Sequence, residues 1–253
     1  MLDRIVTATR DRVADLRLRK AAVMERAELA SDPPSFEEAL SRPGLKVIAE
    51  VKRRSPSRGE LAPSLDPALQ AAAYARGGAA ALSVLTEPQF FAGHSDDLGA
   101  ARDASGLAVL RKDFVVESIQ VWESRAIGAS AVLLIAAVLT PKELGALLSD
   151  AERAGLAALV EVHDRQEARI ALDAGARIIG VNNRDLSTFE VNLETAELVA
   201  SELVGAHLTV AESGIWTRED ARRMAIAGYS AILVGEALVK SADPAALIAE
   251  LIS

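Results

Sequence analysis

The sequence contains no cysteine, so a disulfide framework and a thiolate metal site are both excluded. Histidine is nearly absent too. The three present, His94, His163 and His207, have no zinc-ligand spacing to one another. Aromatic residues make up 4% of the chain, so Ala, Leu and Val must supply the core, and side chains of that kind suit close packing of helices on strands. There is no basic tract beyond Lys52-Arg53-Arg54, and the net charge is −8. Non-specific nucleic-acid binding needs a basic face for the phosphates, and this chain has none. No apolar run is long enough to span a bilayer; the most apolar, Ala131 to Leu139, is too short. The opening MLDRIVTATRDR carries acids and bases throughout and lacks the apolar stretch of a secretory signal. These absences are those of a cytoplasmic protein.

What is present is periodicity. Leu2, Ile5, Val6, Val13 and Leu16 fall at helical spacing, and a helix is expected from Leu2 to Ala30, ended by Ser31-Asp32-Pro33-Pro34. Ser35 opens a second, short helix with Glu37 and Glu38 in its first turn, and Pro43-Gly44 closes it. Residues 1–45 thus form a helical extension. It is expected to plug one end of the domain, with a lid over a site as the alternative.

From Val47 a unit repeats: an Ala-rich helix, a Gly-containing turn, then a short apolar strand ending in polar residues. The strands read as Val47–Lys52, Ala81–Thr86, Ala108–Phe114, Ala131–Ala137, Ala157–His163, Arg177–Arg184, Leu208–Gly214 and Ala231–Glu236. They are almost continuously apolar, as strands covered on both faces must be. Eight such units close into a (β/α)8 barrel more readily than into an open sheet, and the length is ordinary for one barrel. The expected architecture is α/β: a (β/α)8 TIM barrel over 46–253 with an N-terminal helical extension, as a single domain over 1–253. A monomer is expected, with a weak homodimer as the alternative.

Functional groups of such barrels gather at the C-terminal ends of the strands. Here those ends carry Glu50 and Lys52, Lys112 and Asp113, Glu161 and His163, Asn182, Asn183 and Arg184, Glu212, Ser213 and Gly214, and Gly235 and Glu236. Glu50 and Lys52 alternate with Ala49 and Val51, so both point to one side of the first strand. Ser213-Gly214 and Gly235-Glu236 end strands seven and eight, whose loops are the usual phosphate cradle of this fold. Lys112 and Glu161 suit acid–base chemistry. A dry pocket or neighbouring cations would destabilise the Lys112 ammonium, and a dry pocket would tune Glu161 toward neutrality. A Schiff-base lysine is the first alternative. His163 shares the face of Glu161 and is read as a supporting group. Phe91 is read as core or as a cover for an aromatic ring.

The stretches IAEVKRRSPS, SVLTEPQFFAG, VLRKDF, VLLIAA, LVEVH, GVNNRDLSTFEV, AESGI and ILVGEAL run in order from Ile48 to Leu238. Together they resemble the indole-3-glycerol phosphate synthases of tryptophan biosynthesis, and the helical extension resembles that family's as well. The resemblance implies a decarboxylating, dehydrating ring closure of 1-(2-carboxyphenylamino)-1-deoxyribulose 5-phosphate, with no metal and no organic cofactor. Its partner is a small phosphorylated substrate, not a nucleic acid or a membrane. The resemblance makes Lys112 the general acid, Glu161 the general base and Lys52 the holder of the substrate carboxylate. Glu50 and Asn182 orient the substrate hydroxyls and Lys112, and Arg184 touches substrate. Ser55, Ser213, Gly214, Gly235 and Glu236 cradle the phosphate, while Phe91, Phe114 and Leu133 wall the ring. Two positions depart from the family pattern, His94 where Ser is usual and Trp122 where Tyr or Ile is commoner. The remaining alternatives are a phosphoribosyl anthranilate isomerase, a Schiff-base aldolase, and a non-catalytic phosphosugar-binding scaffold.

Overall fold

A computed structural model describes residues 1–253. Its barrel strands are β1 (Lys46–Val51), β2 (Ala81–Leu85), β3 (Ala108–Lys112), β4 (Ala131–Ile135), β5 (Ala157–Val162), β6 (Ile178–Asn182), β7 (Leu208–Glu212) and β8 (Ala231–Val234). All pair in parallel with their sequence neighbours, and β1 closes the ring against β8 through Lys46 opposite Ala231 and Ala49 opposite Val234. The expected eight-stranded barrel is therefore the observed one.

Three helices precede the barrel: α1 (Leu2–Leu18), α2 (Lys20–Leu29) and α3 (Phe36–Leu40). Around it run α4 (Pro67–Arg76), α5 (Pro88–Phe91), α6 (Ser95–Ser105), α7 (Ser118–Ala126), α8 (Pro141–Arg153) and α9 (Arg165–Asp173). The circuit ends with α10 (Glu194–Ala200), α11 (Arg218–Ile226), α12 (Glu236–Lys240) and α13 (Pro244–Leu251). No helix is long and apolar enough to cross a membrane.

Alternation along each strand sorts its residues to two sides. The layer between sheet and helices holds 44 buried apolar residues and the barrel interior 15, so most hydrophobic stabilisation lies outside the ring of strands. The interior takes residues from all eight strands, among them Ile48, Ala81, Ala108, Ala131 and Ala231, and Phe36 and Leu40 of α3 fill its floor. Outside the floor, Glu37 of α3 receives Arg177 at 2.6 Å and lies 3.1 Å from His207. The plugging role expected of the extension thus belongs to α3.

The single long helix expected from Leu2 to Ala30 is two helices, broken at Arg19, whose φ of −104° and ψ of 17° leave the α region. The break lets α1 and α2 follow different parts of a curved wall: both pack on α7, and α1 alone reaches the opposite end of the barrel. Arg12 of α1 donates to Asp113 at 2.7 Å, and Arg125 holds the end of α2 through Ala30 O at 2.9 Å and Asp32 at 2.8 Å. Strand ends also fall short of the sequence reading. The fourth strand stops at Ile135, where Ala136–Val138 wind into a 3-10 turn, and the sixth stops at Asn182. After β1, the chain turns at Ser55-Pro56-Ser57. It forms a small hairpin that pairs Arg54–Ser55 with Gly59–Glu60.

Candidate active site

Every residue to which the resemblance gives a catalytic or substrate-binding role lines one cavity at the C-terminal ends of the strands, whereas His163 and Asn183 lie outside it. Glu50, Lys52, Lys112, Glu161 and Asn182 form its base, with Arg184, Ser55, Ser213, Gly214, Gly235 and Glu236 on one side and Phe91, Phe114 and Leu133 on the other. The rings of Phe91 and Phe114 stand 6.3 Å apart and tilted.

The LRKDF run divides by strand alternation. Lys112 enters the cavity, while Arg111 and Asp113 turn outward into a buried network. Arg111 lies 3.2 Å from Asp113 and 2.8 Å from Glu123, and Asp113 also accepts from Thr86 at 2.8 Å and from Arg12. Burial disfavours the Asp113 carboxylate, but Arg111 and Arg12 outweigh it and hold its pKa below the usual carboxylate range. Two neighbours of Lys112 therefore fix the strand end from which the lysine projects.

Lys112 Nζ donates to Glu161 Oε2 at 3.1 Å and to Glu212 Oε2 at 3.0 Å. Burial works against its ammonium form, but Glu161, Glu212 and Glu50 outweigh burial and raise its pKa above the ordinary lysine value. The expectation of a destabilised ammonium is thus corrected, because the lysine is surrounded by carboxylates and not by cations. The same correction applies to Glu161. Burial alone would favour its neutral form, but Lys112, His163 and Asn182 (Nδ2 to Oε1, 3.2 Å) hold it well below the carboxylate range. The carboxyl tuned toward neutrality is Glu212, pushed up to about 7 by burial and by its like-charged neighbours Glu161 and Glu50, against the pull of Lys112. Glu212 Oε1 is buried without a hydrogen-bond partner. The sequence placed Glu212 at a strand end but gave it no role.

Two glycines make room for these groups. A Cβ on Gly180 would lie 2.1 Å from Glu212 Oε1, and one on Gly235 would lie 2.4 Å from Glu50 Oε1. Beside Gly235, Lys52 pairs with Glu50 at 2.5 Å. Ser213 adopts the left-handed conformation at φ 67°, which costs a non-glycine residue about 1–2 kcal/mol, and Asn183 holds it by donating to its carbonyl at 3.1 Å. Strain kept at a strand end of this kind marks a place where backbone direction matters. The Glu236 side chain lies 3.5 Å from Arg58, 3.9 Å from Arg184 and 2.6 Å from Lys240, so it gathers cations around the cradle.

The mouth contains residues the sequence did not announce. Met1 and, from α1, Leu2 and Ile5 line it, as do Leu186, Phe189, Ile215 and Trp216. The extension therefore contributes to both ends of the barrel: α3 at the floor and α1 at the mouth. Of the two departures from the family pattern, His94 has a local explanation. Its Nδ1 accepts the Asp96 N–H at 3.2 Å and caps α6, as a serine hydroxyl would. Trp122 packs at the edge of the core, and nothing in the structure explains its choice over Tyr. No group of His, Cys, Asp and Glu side chains converges in a way that could hold a metal ion.

A family model described as indole-3-glycerol phosphate synthase matches residues 2–251. The indole-3-glycerol phosphate synthase of Mycobacterium ulcerans is 48% identical over 258 residues, covering 100% of this chain and 94% of that one. That of Lachnoclostridium phytofermentans is 41% identical, covering 99% and 98%. Among solved structures, a 3-hexulose-6-phosphate synthase superposes with a TM-score of 0.65 at 14% identity over 82% of this chain and 98% of that one. A thiamine phosphate pyrophosphorylase from Pyrococcus furiosus gives 0.62 at 20% identity over 82% and 93%. At those identities the two structures share the fold alone.

Proposed function

Because the chain belongs to the indole-3-glycerol phosphate synthase family, we propose how its strand-end residues divide the work of closing an indole ring. The protein is a decarboxylating lyase of tryptophan biosynthesis. It converts 1-(2-carboxyphenylamino)-1-deoxyribulose 5-phosphate to indole-3-glycerol phosphate, CO₂ and water.

The observation that carries the assignment of roles is Lys112 Nζ held between Glu161 and Glu212 at 3.1 and 3.0 Å. Attack of the ring carbon on the ketone sacrifices aromaticity, so the carbonyl oxygen must receive a proton as the bond forms. Lys112 gives that proton. Lys52 holds the carboxylate until it leaves as CO₂, and its departure returns the electrons to the ring. Loss of the hydroxyl as water then needs a proton for the departing oxygen, which Lys52 donates once the carboxylate has left, and a base for the proton on the adjacent carbon, which Glu161 takes. Once Lys112 is neutral, Glu161 loses the nearest of the charges that depress it while His163 and Asn182 still hold it, so it is a stronger base at the step that uses it. Glu212 keeps the ammonium aimed from its other side. Glu50 and Asn182 orient Lys52 and Glu161, and Arg184 contacts substrate. Ser55, Ser213, Gly214, Gly235 and the backbone N–H of Glu236 take the phosphate, and Phe91, Phe114 and Leu133 flank the ring.

A raised Lys112 pKa speaks against a Schiff-base role, which requires the neutral amine. We further propose that the chain works in the cytoplasm without nucleic-acid partners, as one domain over 1–253 and as a monomer or at most a weak homodimer. The net charge of −8 and the ion pair between Arg12 and Asp113 are in keeping with this. Light scattering across a concentration series distinguishes monomer from dimer.

The deciding experiment mixes purified protein with the carboxyphenylamino-deoxyribulose phosphate in EDTA and follows indole fluorescence. A rising signal is expected. A flat signal with calorimetric binding would point to a scaffold, and a flat signal without binding to another sugar phosphate.

A further inference from the structure

His163 lies just past β5, two positions beyond Glu161. Its main-chain N–H donates to Glu167 Oε2 at 2.8 Å. Its ring Nδ1 is held 3.0 Å from Glu167 Oε2, while Nε2 lies buried 3.4 Å from Glu161 Oε1 with no hydrogen-bond partner of its own. Glu167 is in the first turn of α9, where the helix dipole favours its charge. A neutral imidazole has one N–H and one lone pair, so it would turn the lone pair toward one of the two carboxylates. Only the imidazolium offers an N–H to both. Burial works against that charge, but Glu161 and Glu167 outweigh it and raise the ring's pKa to about 10.

The charges around Glu161 show why this matters. From other elements it is faced by Lys112 of β3, Asn182 of β6 and Glu212 of β7, with Glu50 of β1 acting on Lys112 from beyond. Glu50, Glu161 and Glu212 meet only two lysines, Lys52 and Lys112, at the base of the cavity. When Lys112 protonates the substrate, Glu161 loses its nearest cation while still buried. A carboxylate left in that state draws a proton back before the later step needs it.

We propose that His163 is a positioning residue for Glu161: its imidazolium, braced by Glu167, fixes the Glu161 carboxylate and keeps it ionised after Lys112 has given up its proton. This rests on the reading of Glu161 as the general base. His163 does not touch the reacting atoms. It acts through Glu161, and its effect is on the pH range in which Glu161 works.

The test compares full-length wild type with His163→Gln, Glu167→Gln and Glu161→Gln, following indole formation from pH 5 to 9. Once Lys112 has given up its proton the imidazolium is what keeps Glu161 ionised, so its removal moves the acidic limb of kcat, which reports the substrate-bound enzyme, to higher pH. A shift of about one unit is expected in His163→Gln, the low end for loss of an adjacent charge. Glu167→Gln, which removes the brace but keeps the ring, should move the limb the same way by less. If His163→Gln does not fold, Glu167→Gln carries the test alone. A loss of active protein with an unmoved limb would mean a purely structural role and overturn the inference. Glu161→Gln separates the two readings: if it keeps near-normal turnover, the base assignment fails; if it is inactive while the limbs of the other variants match wild type, only the inference about His163 fails.

Discussion

At the N-terminal end of the barrel, Phe36 and Leu40 fill a floor of Ala81, Ala108, Ala131 and Ala231; at the C-terminal end of the same strands, Glu50, Glu161 and Glu212 share a cavity with Lys52 and Lys112. The floor is apolar and filled by its own side chains. The mouth keeps like charges close together, leaves Glu212 Oε1 unpaired and holds Ser213 in a left-handed turn. Stability and chemistry are thus separated along the strand axis. The difference shows where this fold tolerates disorder in its electrostatics: only at the end where a substrate will rearrange them.

Substitutions at the two ends should therefore fail in different ways. At the mouth, Lys112→Ala and Glu161→Gln should each cut kcat by roughly 10²-fold or more, the usual scale for a lost acid or base, with thermal stability kept or raised. Steady-state kinetics beside a melting curve checks both halves, and near-normal turnover would remove that residue's role. At the floor, Phe36→Ala should cost about 3–5 kcal/mol in denaturant unfolding while kcat per folded molecule stays near wild type. A large fall in kcat there would mean the two ends are coupled. Arg12 lies between them, since it joins α1 to the strand end that presents Lys112. Arg12→Gln should lower stability by about 1–2 kcal/mol at neutral pH. Asp113 has a depressed folded pKa, so its pairing stabilises above the ordinary carboxylate pKa and is lost as pH falls below about 4. Wild type and variant should therefore converge in acid, which urea melts at several pH values will show. The smallest effect belongs to His94→Ser, which exchanges one cap acceptor for another and should stay within about 0.5 kcal/mol, whereas His94→Ala should lose about 1 kcal/mol.

Much of this separation was legible in the sequence. The eight strands announced themselves as apolar runs after glycine turns, and alternation put Glu50 and Lys52 on one side of β1. What was missed depends on contacts across the barrel. Nothing local to LRKDF says that Lys112 will sit between Glu161 and Glu212, which lie 49 and 100 positions away, so the sign of its pKa shift was misread. Glu212 was overlooked because a lone glutamate at a strand end has no pattern of its own. The break at Arg19 carries no glycine or proline to signal it.

The extension has a further consequence, in the order of synthesis. Arg12 waits for Asp113, 101 positions later; Arg17 for Glu117, 100 later; Asp32 for Arg125, 93 later; and Glu37 for Arg177, 140 later. At about 5–20 residues per second, a hundred positions correspond to roughly 5–20 s on the ribosome. Through that interval α1 has its apolar face of Ile5, Val13 and Leu16 uncovered, and Phe36 has no floor to enter. The extension, made before the strands and helices it packs on, is thus placed late, and its exposed stripe is the surface a chaperone would meet on the nascent chain.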